Sequence, residues 1–307
     1  IASKLYFLHL IRYKNLIFIG LTQILLKYGF FSAIDVAVAL SGFQFVLLVF
    51  ATILIAAAGN VINDIYDVGA DQINKPDQLI VGKKITEKSA YKIFITLNTL
   101  GVFGGFLLSN LIEKPGFAAL FIISSALLYL YASMIKGTLL IGNILISTLV
   151  ALSILIVGVF DILPAIDTVN IGNQLAAMRV VLHYACFAFF INLIREIVKD
   201  IQDINGDNSD GHTTLPIAIG RSRSINLIFT LGVVAVVTSV SYLYLFLYSS
   251  QILVLYFLLL VIAPMLYYCI KAFSAKTKED IRQLSILLKV IMFSGMCSLP
   301  LYHFVFP

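Results

Sequence analysis

Charged residues are scarce in this chain. Only 12% of its 307 residues are Asp, Glu, Lys or Arg, about half the share that is usual in soluble domains. Tryptophan is absent, and the three cysteines form no CxxC pair, so we interpret them as packing residues and not as a redox or metal site. These cysteines are Cys186, Cys269 and Cys297.

Hydrophobic residues, in contrast, make up 60% of the chain, and its mean hydropathy is +1.00. A soluble globule of this size cannot bury so much apolar surface, which excludes a soluble enzyme. The same composition excludes disordered chains and disulfide scaffolds. The apolar segments run to about 20 residues, the length of a membrane-spanning helix. The sequence therefore predicts an all-α, polytopic membrane protein.

Nine apolar segments predict nine transmembrane helices around a central cavity, in a single domain that covers 1–307. All Lys and Arg residues except Lys27, Lys114 and Arg179 fall on one side of the predicted membrane. The positive-inside rule makes that side cytoplasmic, so the net charge of +5 is explained by topology and not by nucleic-acid binding. The predicted helices cover 15–34, 37–63, 89–109, 115–134, 138–160, 175–199, 223–247, 252–273 and 284–305.

Two acidic clusters end two of these helices on the cytoplasmic side. Each has the spacing i, i+3, i+7, which places three carboxylates on one helix face. Like charges on one face repel, so the arrangement favours a bound cation, and carboxylate oxygens suit Mg²⁺. The alternative is a pair of solvated helix ends at the membrane surface. The clusters are Asp64, Asp67 and Asp71, and Asp200, Asp203 and Asp207.

A glycine lies within each cluster near its end, and basic residues flank both clusters. Gly69 and Gly206 predict points at which each helix opens into a loop. Lys75 follows the first cluster. Arg195 and Lys199 precede the second cluster and lie one helical turn apart. Lys and Arg bind phosphates, so we expect an anion site beside the carboxylates. Topology alone explains other basic residues nearby, namely Lys84, Arg221 and Arg223.

At these residues the sequence resembles a known family. The runs Asn63-x3-Asp67-x3-Asp71 and Asp200-x2-Asp203-x3-Asp207 resemble the two aspartate motifs of the UbiA-type intramembrane prenyltransferases. The run from Tyr131 to Lys136, followed by Gly142-Asn143, is similar to the Tyr/Lys segment after the family's fourth helix. The segment from Arg195 to Asp207, with Thr214-Leu215-Pro216, resembles the branch that transfers a geranylgeranyl group to geranylgeranylglyceryl phosphate. Gln78 departs from that branch, which usually has Arg there.

The resemblance implies a Mg²⁺-dependent transfer of a prenyl group from a prenyl diphosphate to a lipid-soluble acceptor among membrane lipids. It implies that Mg²⁺ is held by Asp67, Asp71, Asp200 and Asp203. It assigns catalytic roles to Asp64, Lys75, Lys136, Arg195 and Asp207, of which Asp64 or Asp207 accepts the acceptor's proton. It assigns substrate binding to Asn63, Lys75, Lys136, Asn143, Arg195 and Lys199.

The sequence leaves two alternatives open. One is an aromatic prenyltransferase of quinone, haem or chlorophyll biosynthesis. The other is a cation-coupled secondary transporter, although such sites usually lie at the bilayer midplane and not at helix ends. The chain has more cations than one diphosphate requires. These cations could form a second anion site, so a phosphorylated acceptor is favoured over an aromatic one. These cations are Lys83, Lys84, Arg12 and Arg221.

Overall fold

The computed structural model describes residues 2–304, and the side chains of residues 5–304. Within that part the secondary structure is helical apart from one isolated bridge between Val81 and Ile85. The helices are α1 (Ala2–Leu10), α2 (Tyr13–Ile24), α3 (Gly42–Tyr66), α4 (Val68–Asn74), α5 (Glu87–Leu111), α6 (Ala118–Leu130), α7 (Ile141–Asp161), α8 (Ile171–Ser209), α9 (Leu215–Ile219), α10 (Arg221–Tyr242), α11 (Gln251–Phe257), α12 (Ala263–Ser274) and α13 (Lys278–Cys297). Turns of π-helix extend α2 through Leu25–Phe31, α6 through Tyr131–Ile135 and α10 through Leu243–Leu247, and Leu258–Ile262 joins α11 to α12.

Eight helical segments of the described chain are long and apolar enough to cross a membrane. They are Gly42–Tyr66, Glu87–Leu111, Pro115–Ile135, Ile141–Ala165, Ile171–Ser209, Arg221–Leu247, Gln251–Ser274 and Lys278–Phe304. The first predicted span is also helical, from Tyr13 to Phe31, but it contains Lys14 and Lys27 and is not among the eight. The predicted all-α membrane fold is confirmed. The predicted number of nine transmembrane helices is close to the eight described segments that are long and apolar enough to cross a membrane. The prediction of a single domain remains untested.

Helix ends account for most of the differences from the predicted ranges. The second span, predicted at 37–63, is α3, which begins later because Ser41 caps its N-terminus in a capping box with Gln44. The ninth span, predicted at 284–305, begins at Lys278 because Thr277 forms a second capping box with Asp280. It ends in a 3₁₀ segment, Leu299–Phe304, and its last predicted residue lies outside the described residues.

Helix α8 is the longest element and holds the site in place. Its 39 residues correspond to about 58 Å, roughly twice the thickness of the hydrocarbon core of a bilayer. Its N-terminal half contributes buried residues such as Val181 and Ala188 to the main core, where α7, α10 and α13 pack against it. Its C-terminal turns therefore extend beyond the apolar layer, and they carry the second acidic cluster.

A buried ion pair lies away from both clusters. Lys27, which the sequence places among the three basic residues outside the cytoplasmic side, has its Nζ 2.8 Å from Asp161 Oδ2, and the two side chains are 6% and 0% exposed. Lys27 also donates to the carbonyl of Leu40, and Asp161 accepts from the backbone N–H of Leu40. The pair therefore joins α2 and α7 to the segment that precedes α3.

Candidate active site

The first acidic cluster lies where α3 ends and α4 begins. Asp67 separates the two helices with φ −87° and ψ 0°, outside the helical region, so the chain turns there. The predicted opening at Gly69 is wrong, since Gly69 lies inside α4. The turn instead points α4 toward the C-terminal part of α8, against which it packs.

The second predicted opening, at Gly206, is also wrong, because α8 continues to Ser209. A Cβ at Gly206 would lie 2.6 Å from the carbonyl oxygen of Ala70, and one at Gly69 would lie 2.9 Å from Asp210 Oδ1. Real Cβ atoms do not approach this closely without displacement of their neighbours. Both glycines therefore allow α4 and α8 to pack together, and they do not open either helix.

Two residues of the first segment bind directly to the second. Asn74 donates from Nδ2 to the carbonyl oxygen of Asp203 at 2.9 Å and accepts from the N–H of Gly206 at 3.0 Å. Lys75 Nζ lies 2.7 Å from Asp203 Oδ2. The structure thus brings the two acidic clusters together, although 128 residues separate Lys75 from Asp203.

Three cations pair with carboxylates of the clusters. Lys136, at the end of the π-helical turn after α6, forms an ion pair with Asp67, and Lys75 pairs with Asp203 as described. Arg12 Nη2 lies 2.6 Å from Asp64 Oδ1. Arg12 has φ +53° and ψ +52°, the left-handed conformation, which costs roughly 1–2 kcal/mol for a residue with a side chain. This strained turn between α1 and α2 directs the guanidinium toward the first cluster.

Two asparagines donate to two of the predicted metal ligands, Asp67 and Asp200. Asn63 Nδ2 lies 2.5 Å from Asp67 Oδ2, and Asn143 Nδ2 lies 2.7 Å from Asp200 Oδ2. Asn143 lies in the first turn of α7, so three long helices, α3, α7 and α8, contribute to the site. Each amide also fixes the orientation of a carboxylate, which leaves the other oxygen of that carboxylate for a ligand.

The electrostatics of the groups outside the long helices reflect this crowding. Burial raises the pKa of Asp71, although the nearby Lys75 opposes the shift. Burial lowers the pKa of Lys136, but the attraction and hydrogen bond of Asp67 outweigh it, so the net shift is upward. The carboxylate of Asp64 raises the pKa of Arg12. Lys136 and Arg12 are therefore held as cations beside the carboxylates.

The donor set fits Mg²⁺. All six carboxylates of the clusters are hard oxygen ligands. Among the Lys and Arg residues whose side chains the structure describes, only Arg12, Lys75 and Lys136 form ion pairs with them, so three of the six carboxylates lack such a partner there. Asp203 Oδ1 is buried and has no hydrogen-bond partner in the described chain. No group of three or more His, Cys, Asp or Glu residues converges on one point there. Mg²⁺ does not require one, because it usually takes one or two carboxylates and completes its shell with water and phosphate oxygens.

Two of the predicted site residues pair elsewhere. Arg195 Nη1 lies 3.2 Å from Glu196 Oε1, and Lys199 Nζ lies 2.6 Å from the same oxygen. The structure therefore places both cations on a separate carboxylate and not on the aspartate clusters. Their predicted roles stay predictions, as do those of the other site residues.

Sequence reasoning gave no role to several residues that shape the site. Asn74 continues the helical spacing of Asp67 and Asp71, a signal that could have identified it. Glu196 follows Arg195 directly and precedes Lys199 by three residues, a local spacing that could have identified their ion pairs. His212 was not among the predicted site residues, but its Nδ1 lies 3.7 Å from Asp207 Oδ1.

The fold defines an integral, multi-pass helical membrane protein in which two aspartate clusters, with their lysine, arginine and asparagine partners, lie together at one end of its helices. Residues 26–294 match the UbiA prenyltransferase family, and the chain belongs to that family. It is therefore a prenyltransferase.

Two archaeal relatives of this chain carry the same name. It is 31% identical over 283 residues to digeranylgeranylglyceryl phosphate synthase of Methanococcoides burtonii, covering 92% of each chain. It is 34% identical over 253 residues to the protein of that name in Methanothermobacter thermautotrophicus, covering 81% of this chain and 82% of that one.

Solved structures share the fold. One from work on digeranylgeranylglyceryl phosphate synthase in membranes has a TM-score of 0.62 and 26% identity, covering 98% of this chain and 99% of that one. A UbiA homolog from Archaeoglobus fulgidus bound to GPP and Mg²⁺ has a TM-score of 0.58 and 17% identity, covering 96% and 99%. The second likeness concerns the fold alone.

Proposed function

We propose that this enzyme transfers a geranylgeranyl group from geranylgeranyl diphosphate to a hydroxyl of a prenylglyceryl phosphate and releases diphosphate, with Mg²⁺ as cofactor. The observation that carries the proposal is the juxtaposition of two aspartate clusters through Asn74 and Lys75. It is supported by the name of the relatives, and by Mg²⁺ and GPP bound to a homolog of the same fold. Membership of a prenyltransferase family disfavours the transporter alternative.

The carboxylates would hold the metal on the diphosphate. In this proposal Asp67, Asp71, Asp200 and Asp203 are the Mg²⁺ ligands, and Asn63 and Asn143 orient two of them. Bound Mg²⁺ supplies neutralisation of the charge that develops on the leaving diphosphate. Lys75 and Lys136 already lie beside the carboxylates, so they can transfer their hydrogen bonds to diphosphate oxygens when the carboxylates take up the metal.

The reaction balances with one proton transfer. The allylic C–O bond breaks and its electron pair leaves with the diphosphate, while the acceptor oxygen forms a new C–O bond and loses its proton. Asp207 is the better proton acceptor of the two predicted residues, because Asp64 is held by Arg12 at 2.6 Å whereas Asp207 has only His212 at 3.7 Å. The surrounding apolar helices exclude the water that would quench an allylic cation.

We also propose that the site faces the cytoplasm. The helix ends that carry both clusters lie on the side with most of the Lys and Arg residues, which the positive-inside rule makes cytoplasmic. Geranylgeranyl diphosphate has a charged head and an apolar tail, so it fits a site where polar helix ends meet the bilayer.

The deciding experiment is a competition assay in detergent micelles. Purified enzyme is given geranylgeranyl diphosphate and Mg²⁺ with geranylgeranylglyceryl phosphate, 4-hydroxybenzoate and a dihydroxynaphthoate together, and lipid products are identified by mass spectrometry. Prenylation of geranylgeranylglyceryl phosphate is expected. Prenylation of an aromatic acceptor alone would refute the proposed identity of the acceptor, while the assignment as a prenyltransferase would stand.

A further inference from the structure

Two cations of α8 contact one carboxylate beside the aspartate clusters, and a third cation lies on the neighbouring helix α13. Arg195 and Lys199 on α8 both contact Glu196 Oε1, at 3.2 and 2.6 Å. Lys289 on α13 is exposed and interacts electrostatically with Arg195 and Glu196. Helix α13 packs along α8, and Gly295 lies against the ring of Phe187 one to two turns beyond this point. We call Arg195, Lys199 and Lys289 with Glu196 the basic group.

The basic group has more positive charge than its own structure requires. Its three cations and one carboxylate leave two positive charges in excess. Arg195 is 12% exposed, and its Nε is buried without a hydrogen-bond partner among the described residues. A buried guanidinium N–H without a partner is unfavourable. A ligand with acceptor oxygens and about two negative charges would satisfy both the charge and the N–H, and a phosphate monoester carries about −1.5 to −2 at pH 7.

The basic group is distinct from the site of the diphosphate. Lys75 and Lys136 pair with Asp203 and Asp67, whereas the ion pairs of Arg195 and Lys199 are with Glu196. Arg12 forms its ion pair with Asp64 of the first cluster, and it also interacts electrostatically with the cations of the basic group.

The cations expected from sequence to serve a second anion are engaged elsewhere. Lys83 donates to the carbonyl of Pro76 at 2.8 Å, and Arg221 donates to that of Lys276 at 3.0 Å. Lys84 lies over a tyrosine ring. Of the expected set, Arg12 interacts electrostatically with the basic group, while its ion pair is with Asp64.

We propose that Arg195, Lys199 and Lys289 bind the phosphate monoester of the lipid acceptor, and that they do not bind the diphosphate of the donor. This inference rests on the proposed function for the identity of the acceptor. It reassigns Arg195 and Lys199 from the donor, where the family resemblance placed them, to the acceptor. It adds Lys289 as a residue that determines specificity for a phosphorylated acceptor.

The first test separates the Michaelis constants of the two substrates. Lys199→Gln and Lys289→Gln are expected to raise KM for geranylgeranylglyceryl phosphate by about tenfold, as loss of a charge-assisted contact should, with little change in KM for geranylgeranyl diphosphate. Lys289→Arg keeps the charge and should retain the wild-type values. Lys92→Gln removes an exposed lysine of α5 and is the matched control. An increase in KM for the donor, or no change in either constant, would refute the inference.

The second test measures binding without turnover. Dodecyl phosphate added to the micelles should raise the Tm of the wild type and of Lys92→Gln, but not that of Lys289→Gln, and dodecyl alcohol should raise none of them. Equal effects of dodecyl phosphate on all three proteins would refute the inference. Inorganic phosphate is tested in parallel, and protection by it at the same concentration would show that the group binds free phosphate and does not require a lipid, which also counts against the proposal. Binding of dodecyl phosphate at the basic group, with only aromatic acceptors prenylated, would overturn the proposed function and retain this site.

Discussion

Replacement of Asp67 by Asn is the sharpest single test of the aspartate clusters. Asp67 forms an ion pair with Lys136 and accepts from Asn63 at 2.5 Å, so it connects the turn between α3 and α4 to the segment after α6. Asn keeps the size of the side chain and one carbonyl oxygen. It removes the negative charge that makes a carboxylate a stronger ligand for Mg²⁺ than a neutral amide.

The expected loss of activity is large. Changes to residues that only support a metal ligand typically cost 10–100-fold in metal affinity or activity. A direct ligand should cost at least the upper end, about 100-fold, which corresponds to about 2.7 kcal/mol in the barrier. The effect on stability should be much smaller. Lys136 is 27% exposed, so water compensates part of the lost pair, and we expect a cost of about 1 kcal/mol.

The assay is the initial rate of release of diphosphate in micelles over a range of Mg²⁺ concentrations, with thermal unfolding measured on the same preparations. Asp77→Asn is the control, because Asp77 is exposed on the short segment that follows α4. It should keep the wild-type rate. If Asp67→Asn retains more than about a tenth of that rate at saturating Mg²⁺, a loss of less than about 1.4 kcal/mol, Asp67 is not a metal ligand in the transition state.

Three further predictions concern the metal, the contact between the clusters and the buried ion pair. Chelation by EDTA should abolish turnover and added Mg²⁺ should restore it, so that full activity after exhaustive chelation would contradict metal dependence. Gly206→Ala should lower both activity and stability, the latter by about 1–3 kcal/mol, because the new Cβ meets the carbonyl of Ala70 at 2.6 Å; wild-type turnover would show that α4 need not pack so closely on α8. Lys27→Met should destabilise the protein by about 3–5 kcal/mol, because it leaves a buried carboxylate unpaired. In a thermal unfolding assay, the double variant with Asp161→Leu should recover part of that loss. Equal stability of Lys27→Met and the wild type would refute a structural role for the pair.

The helices were predictable because the property that defines them is local. A run of about 20 apolar residues spans a bilayer wherever it occurs in a chain, and the spacing of Asp200, Asp203 and Asp207 places them on one helix face without knowledge of any neighbour. Helix ends were less predictable. Two of them depend on capping residues, Ser41 and Thr277, whose effect outweighs hydrophobicity.

The pairing of charges could not be predicted, because it depends on contacts between distant parts of the chain. Lys136 and Asp67 are 69 residues apart, and Lys27 and Asp161 are 134 apart. Composition shows that such charges exist but not which of them meet. The same limit explains the interpretation of Gly206, since a glycine that admits a neighbouring helix has the same sequence signature as one that ends a helix.

The opposite charges of the two sites determine which anionic lipid each site accepts. The aspartate clusters have excess negative charge, so an anion alone is repelled there and a diphosphate with its metal is accepted. The basic group has excess positive charge, so it attracts an anion that carries no metal. Two anionic lipids would compete for a single positive surface, whereas sites of opposite charge assign each lipid to its own place. Arg12 pairs with Asp64 and interacts electrostatically with the basic group, so in this proposal it can stabilise the negative charge that remains on the diphosphate as the acceptor's oxygen approaches.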